Sequence, residues 1–200
     1  MKSTEYYIEL IHHTLSPYRF HHSMCVAEQA KALALRHGEN AEKAYLAGIL
    51  HDITKELPNE EQIRLIEENG QPLTAVEKAN HRVFHQMSGA AYVKAVLGID
   101  DEEIISGIRY HTTGHAEMTV FEMIIYLADF TSADRNYPDV DVMRQKTEES
   151  LYAGMLYSLR YTITSVVKEN RVLHPDTLHC YNWVLNKINA AGGSDGANPQ

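Results

Sequence analysis

Two histidines and two aspartates of this chain lie in apolar surroundings where polar groups are unusual. His51 and Asp52 directly follow the apolar run AGIL, and Asp129 directly follows the apolar run IIYLA. His22 lies one helical turn before Val26, on the same expected core face. Charged carboxylates are seldom buried without a partner, so these positions call for a compensating positive charge.

Imidazole and carboxylate groups together suit a divalent metal such as iron, manganese or zinc. A bound ion of this kind activates water near neutral pH and offsets charge on phosphate oxygens. Adjacent helical residues point about 100° apart, so His51 and Asp52 can share an ion only if it lies beyond the helix end. The alternative is four unrelated capping residues and satisfied core histidines, but the joint pattern favours a metal site.

The elements that must position these groups are helices. Apolar residues recur at helical spacing almost throughout, and alternating strand-like runs are nearly absent, which predicts an all-α fold. Asn59 is expected to be an N-cap, Thr74 and Glu77 a capping box, and Pro175 the first residue of a helix. The expected helices cover 3–15, 18–37, 41–52, 60–69, a short segment after 74, 86–97, 101–110, 120–130, one or two helices over 140–170, and a last helix from 175 that ends before 192. We expect one domain over 1–190 and a disordered tail over 191–200.

Composition restricts the classes of function. The net charge of −9 argues against a nucleic-acid partner held by broad electrostatics, so an anionic substrate needs a metal or a few placed cations. The polar start and the lack of a long apolar run argue against secretion and a membrane partner. Cys25 and Cys180 form no Cys-x-x-Cys pair and are expected to be buried small residues, which predicts a cytoplasmic location. A homodimer is compatible with the sequence.

Three cationic side chains could handle phosphate beside such a metal. Lys55 follows the His-Asp pair by three residues and can direct a compact charge toward phosphate, although an ordinary surface lysine is the alternative. Arg19 precedes His22 by about one turn, and Arg135 follows the helix of Asp129. The planar fork of arginine suits phosphate recognition.

A run of small polar residues comes directly after another histidine. Thr112, Thr113 and Gly114 follow His111 and predict a tight loop at a helix end. Hydroxyls and backbone amides there could meet phosphate or ribose, whereas the bare motif would be only a turn.

The ordered residues resemble the signature of HD-domain phosphohydrolases, namely a His, then His-Asp, then a distant Asp. The chain more closely resembles the symmetrical bis(5′-nucleosyl)-tetraphosphatases, which cut diadenosine tetraphosphate into two ADP. The resemblance covers most of the chain outside its two ends. Its segments are RFHHSMCVAEQA (19–30), AGILHDITKELP (47–58), the segment of His85, IRYHTTGHAEMT (108–119), IIYLADFTSADRNYP (124–138) and LHPDTLHCYN (173–182).

The resemblance implies a single-domain HD helical bundle that acts on a small nucleotide substrate. It implies a metal, iron in that family, with one ion favoured and two compatible; Mn, Zn, Co and Mg are alternatives. The metal ligands it implies are His22, His51, Asp52 and Asp129. Of the four, Asp52 is expected to bridge the metal and the attacking water.

Other histidines have more than one expected role. His85 and His111 match positions that bind a second metal in some HD enzymes; they could instead contact phosphate or transfer protons, and we favour phosphate contact or acid catalysis. The resemblance places His174 and Pro175 against the nucleotide, although a plain helix start explains them equally well. His81 is expected to line the same pocket. The expected catalytic residues are Asp52, Lys55, His85 and His111; the expected substrate-binding residues are Arg19, His22, Asp52, His81, His85, His111, Thr112, Thr113, Gly114, Arg135, His174 and Pro175.

The sequence departs from the family pattern at two places. Position 21 is His where relatives often carry an acidic residue, and the helical register assigns the metal to His22 rather than to His21. Residues 131–134 read Thr-Ser-Ala-Asp, where relatives usually read closer to Ile-Glu-Pro-Asn.

Two other functions remain open. One is a different HD-type phosphohydrolase, acting on dNTP or cyclic nucleotides, and the other is a weakly catalytic nucleotide-binding regulator. The presence of His85, His111 and Lys55 favours catalysis over regulation.

Overall fold

The protein is all-α in its computed structural model, which describes residues 2–192. This range contains eleven α-helices and no strand, and a 3-10 turn, His81–Val83, joins α5 to α6. The helices are α1 Thr4–Thr14, α2 Pro17–His37, α3 Ala41–Leu50, α4 Asn59–Glu68, α5 Ala75–Lys78, α6 Phe84–Ala95, α7 Glu102–Tyr110, α8 Val120–Thr131, α9 Val140–Glu149, α10 Leu151–Lys168 and α11 Pro175–Gly192. Across these helices, none has the length and hydropathy needed to cross a membrane.

Local signals set most of the helix ends. Ser16 caps α2, whose first residue is Pro17, and Gly38 ends it in the left-handed conformation at φ 75°. The capping box of Thr74 and Glu77 is confirmed at the start of α5. These positions satisfy backbone groups that a helix end would otherwise leave without partners.

The core is built around α8, whose residues from Phe121 to Ala128 are buried. Helices α2, α3, α7 and α10 pack against it, and α2 packs most extensively against α3. The contact between α2 and α3 is close because Gly48 has no side chain: a Cβ there would lie 2.5 Å from the Cα of Ala27. The helix that bears His22 is therefore held directly against the helix that leads to His51.

Five expectations about the helices and cysteines were wrong. Helix α3 ends at Leu50 rather than at Asp52, because the chain continues there in turns. Asn59 is the first residue of α4 rather than its N-cap, because the chain enters the helix one residue earlier, at Pro58. Helix α6 begins at Phe84, since the 3-10 turn leads straight into it. Cys25 is only partly buried, unlike Cys180. The last helix continues to Gly192, so the expected tail begins inside a helix, and its remaining residues, 193–200, lie outside the described range.

Candidate functional site

The end of α3 brings two polar side chains to the centre of the fold. The helix ends at Leu50, and the chain continues in turns in which Lys55 N–H donates to the carbonyl of Asp52 (2.9 Å). Both His51 and Asp52 are almost completely buried. The early end of the helix allows both side chains to reach the same point, which a continuing helix would prevent.

Four donor atoms from three parts of the chain converge at this point. His22 comes from α2 and is buried, whereas the neighbouring His21 is exposed, which confirms the predicted register. His22 Nε2 lies 3.0 Å from Asp129 Oδ1 and 3.9 Å from Asp52 Oδ2. His51 Nε2 lies 3.5 Å from Asp52 Oδ2 and 3.9 Å from Asp129 Oδ1. Donors bound at about 2.1 Å from one ion lie roughly 3.0–3.5 Å apart. Two of these four separations lie in that range and two, at 3.9 Å, are wider, so a metal fits once the side chains move slightly closer.

The chemistry of the donors also fits a cation. His51 Nε2 and Asp52 Oδ1 are buried and form no hydrogen bond with any residue of the range 2–192. Buried polar atoms without partners are costly, and a metal ion among the four donors would satisfy His51 Nε2, whereas Asp52 Oδ1 faces His85, His111 and Lys55. Within that range, two sets have donor atoms that all lie within 4.8 Å of one another: His22, His51 and Asp129, and His51, Asp52 and His111.

Asp52 lies between the first set and a second group of cationic and imidazole side chains. Its Oδ1 atom is 3.4 Å from His85 Nε2, 3.7 Å from His111 Nε2 and 3.8 Å from Lys55 Nζ. The Nε2 atoms of His85 and His111 are 3.0 Å apart. One carboxylate thus faces both groups, with one oxygen toward each.

Hydrogen bonds at Nδ1 orient the imidazoles. His51 Nδ1–H donates to the carbonyl of Gly48, and His111 Nδ1–H donates to the carbonyl of Ile108, both at 2.7 Å. Each bond leaves Nε2 free to act as a ligand or acceptor toward the centre of the site.

Two arginines contact the carboxylates from the side of α2 and α8. Arg19 Nη1 donates to Asp52 Oδ2 at 2.6 Å. Arg135 donates through Nε to the carbonyl of Asp129 (2.7 Å) and through Nη2 to Oδ1 of the same residue. Both expected arginines therefore lie at the site, where they can stabilise further negative charge.

The surrounding charges shift the ionisation of the central groups. Burial by itself raises the pKa of Asp52, but the neighbouring His51 and Lys55 hold that pKa well below its usual range. Burial likewise raises the pKa of Asp129, but the Arg135 guanidinium, together with His22 and His51, holds that pKa well below its usual range. Burial, together with the charge of Lys55, holds the pKa of His85 well below its usual range. At neutral pH the site therefore contains ionised carboxylates and a neutral His85.

A cavity of about 430 Å³ opens beside the site and shares residues with it. We call His22, His51, Asp52 and Asp129 the cluster. Lys55, His85 and Thr112 line the cavity where it comes close to the cluster. The expected residues His81, Thr113 and His174 line it too, together with apolar side chains from four segments. Those apolar residues are Leu57, Val83, Val166, Val172 and Leu173. This volume is within the range that small-molecule ligands occupy in proteins.

Two expected contact residues are not brought to the cavity. Gly114 adopts φ 62° and turns toward α11, where a Cβ would meet the Sγ of Cys180 at 2.8 Å. Pro175 begins α11 and lies outside the cavity lining, whereas its neighbour His174 is part of it. The glycine is needed for the turn, because its φ is positive and a Cβ there would meet Cys180, and it is not among the residues that line the cavity.

Sequence reasoning missed two residues that support the site. Buried Gln86 accepts hydrogen bonds at Oε1 from the backbone amides of Thr112 (3.0 Å) and Thr113 (3.1 Å), which fixes the threonine turn. Asp134 accepts a hydrogen bond from His22 Nδ1–H at 2.8 Å. The position of Gln86 beside His85, and a carboxylate in the segment after α8, were the available signals.

Comparison with known proteins identifies the class. The HD domain family matches residues 19–134, and this span includes all four donor residues of the cluster. The chain therefore belongs to the HD domain family, as its resemblance predicted.

Its relatives share a more specific name. The symmetrical bis(5′-nucleosyl)-tetraphosphatase of Bacillus subtilis is 35% identical over 86% of this chain and 91% of the relative. The protein of the same name from Halalkalibacterium halodurans is 35% identical over 89% of this chain and 95% of the relative. A crystal structure from Clostridium acetobutylicum, described as a predicted HD superfamily hydrolase involved in NAD metabolism, superposes with a TM-score of 0.91 at 33% identity. The superposition covers 94% of this chain and 99% of the Clostridium acetobutylicum chain.

Proposed function

We propose that this protein is a divalent-metal-dependent hydrolase that cuts dinucleoside tetraphosphates symmetrically, so that diadenosine tetraphosphate yields two ADP. The observation that carries the proposal is the junction of the cluster and the cavity, since Lys55 and His85 line the cavity and lie 3.8 and 3.4 Å from Asp52 Oδ1. A nucleoside in the cavity would leave its phosphates beside the cluster. The names of the Bacillus subtilis and Halalkalibacterium halodurans relatives support the choice of substrate.

The residues that would hold the metal are His22, His51, Asp52 and Asp129. We propose iron as the metal, with manganese able to replace it, because two imidazoles and two carboxylates suit both ions. When bound, such an ion stabilises charge on phosphate oxygens and supplies an activated water. The buried Nε2 of His51, which lacks a hydrogen bond in the described range, supports this assignment.

The remaining charged groups bind and orient the polyphosphate. Lys55 is placed to contact a phosphate at the junction, and Arg19 and Arg135 stabilise charge on the opposite side of the cluster. Asp52 orients the water, because its carboxylate faces both groups of side chains. The lowered pKa of His85 favours a hydrogen bond to phosphate over proton donation. We propose His111 as the donor to the departing oxygen, which requires that its Nε2, beside His85 Nε2, first takes up a proton.

The apolar lining of the cavity supports a nucleoside ligand. Leu57, Val172 and Leu173 offer surface for a base, and polar side chains such as His81 and Thr113 lie beside them. Pockets that bind small molecules commonly combine an apolar lining with a few placed polar groups.

The test is to purify the protein without oxygen, measure its bound metal, and incubate it with diadenosine tetraphosphate. We expect ADP as the only product, loss of turnover on chelation, and recovery with Fe(II) or Mn(II). Asp52→Ala should lose both metal and turnover, whereas Asp100→Asn, which changes an exposed carboxylate, should keep both.

Three outcomes would contradict the proposal. Bound metal with cleavage of dNTP or a cyclic nucleotide instead would replace the substrate. Tight nucleotide binding without turnover under any metal would favour a regulator. Full activity of metal-depleted Asp52→Ala would refute the metal mechanism.

A further inference from the structure

His22 differs from the other oriented imidazoles of the site in the partner of its Nδ1 atom. His51 and His111 donate to backbone carbonyls, which are neutral acceptors. His22 donates to the carboxylate of Asp134 at 2.8 Å, and its Nε2 atom faces Asp129 at 3.0 Å. Of these three rings, His22 is thus the one oriented by a charged group.

Asp134 is itself held firmly in this position. Its side chain is only 7% exposed, and its other oxygen accepts a hydrogen bond from the hydroxyl of Ser132 at 2.7 Å. Ser132 caps the end of α8, the helix that carries Asp129. The segment that follows α8 therefore ties a group on α2 to the helix that provides another proposed ligand.

We infer that Asp134 is a positioning residue for the metal centre, acting through His22. Its carboxylate holds the proton of His22 on Nδ1, so that the lone pair of Nε2 points toward the other donors. A carboxylate partner also makes the imidazole more basic and hence a stronger ligand than a carbonyl partner does. The inference rests on the metal centre of the proposed function, but not on its substrate.

A purely structural role for Asp134 predicts a different behaviour. If the carboxylate only ties the segment after α8 to α2, its removal should lower the stability of the protein and leave the metal affinity of the folded protein unchanged. If it orients and polarises His22, its removal should weaken metal binding specifically. Asp134→Asn keeps an oxygen acceptor but loses the charge, and Asp134→Ala loses both. Comparing the metal affinities of the two variants therefore distinguishes the effect of orienting His22 from the effect of the carboxylate charge.

The experiment measures Zn(II) affinity of the full chain by competition with a chromophoric chelator. We expect Asp134→Ala to weaken Zn(II) binding about 10- to 100-fold, and Asp134→Asn to weaken it about 10-fold. Asp100→Asn removes one exposed carboxylate charge elsewhere and should bind Zn(II) as the wild type does. Thermal unfolding of each metal-free protein reports any loss of stability separately.

The second measurement is the NMR chemical shift of the imidazole Nδ1–H protons in the Zn(II)-loaded protein. The Nδ1–H resonance of His22 should move upfield in Asp134→Asn, because a neutral acceptor binds the proton less strongly, while those of His51 and His111 stay in place. Zn(II) affinities within twofold of the wild type for both variants, with only a lower unfolding temperature, would overturn the inference. If the wild-type protein binds no metal, both the inference and the proposed function are overturned. If the wild-type protein binds Zn(II) but leaves diadenosine tetraphosphate intact, only the substrate proposal is contradicted.

Discussion

Gly48 allows a direct test of how the fold positions the cluster. In Gly48→Ala the new Cβ would lie 2.5 Å from the Cα and 2.8 Å from the amide nitrogen of Ala27, both backbone atoms that no rotamer change can move. Ordinary contacts begin at 3.4 Å, so α2 and α3 must separate locally by about 0.9 Å. His22 moves with α2, and His51 moves with α3.

The separation has two expected consequences. Overpacking of a close helix contact costs roughly 1–3 kcal/mol of unfolding free energy. The donor atoms of the cluster are 3.0–3.9 Å apart, so a shift of about 0.9 Å is large on the scale of a metal site. A misplacement of about 1 Å can reduce a rate about 100-fold, and we expect a loss of that order in kcat/KM together with weaker metal binding.

The assays are urea unfolding, Zn(II) competition and steady-state kinetics. Gly98→Ala is the matched control: Gly98 has φ 65°, so alanine is strained there by about 1–2 kcal/mol, but its Cβ would meet no atom within 4 Å. The control should lose stability and keep metal affinity and activity. Equal metal affinity and activity in the two variants would refute the reasoning that the α2–α3 contact positions the cluster.

Two further predictions concern charges. Lys55→Met should lower kcat/KM for diadenosine tetraphosphate at least about tenfold without changing the metal content measured by mass spectrometry, since Lys55 is placed to contact phosphate rather than metal; loss of the metal would contradict this role. Burial raises the pKa of Glu122, but hydrogen bonds from His115, Ser106 and Thr119 outweigh burial and lower the pKa to about 2. A depressed pKa contributes stability that is full above about pH 4.5 and is lost as the pH falls through 2, so Glu122→Gln should cost about 2 kcal/mol at pH 7 and much less at pH 2 by urea unfolding. An equal loss at both pH values would contradict the assigned ionisation.

The local signals of the sequence were sufficient for most of the fold. Helical spacing predicted the long helices, although it left open whether one or two cover 140–170, and the capping box of Thr74 and Glu77 and the start at Pro175 lie where expected. These features depend on residues within one or two turns of each other, which a sequence displays directly. The misplaced cap at Asn59 shows the limit of the approach, because a neighbouring proline shifted the helix start by one residue.

The site was predictable in its donors but not in its supports. Buried His and Asp at the ends of apolar runs are anomalous in a single sequence, and His22, His51, Asp52 and Asp129 converge as expected. The roles of Asp134 and Gln86 depend on contacts between segments 112 and 26 positions apart, for which the sequence carries no periodic signal. Gly114 was expected at the cavity, but it turns toward Cys180, and its place in the motif gave no sign of that contact.

The sequence by itself determined that the chain is helical, and it predicted a cation among imidazoles and carboxylates. The reason is energetic: apolar spacing dictates which faces are buried, and a buried carboxylate without a partner is too costly to keep. The tertiary structure alone decided which oxygen of Asp52 faces which group, which histidine receives a charged partner, and where the cavity opens. Those outcomes depend on the relative placement of α2, the end of α3 and the segment after α8, which only packing between distant parts of the chain can set.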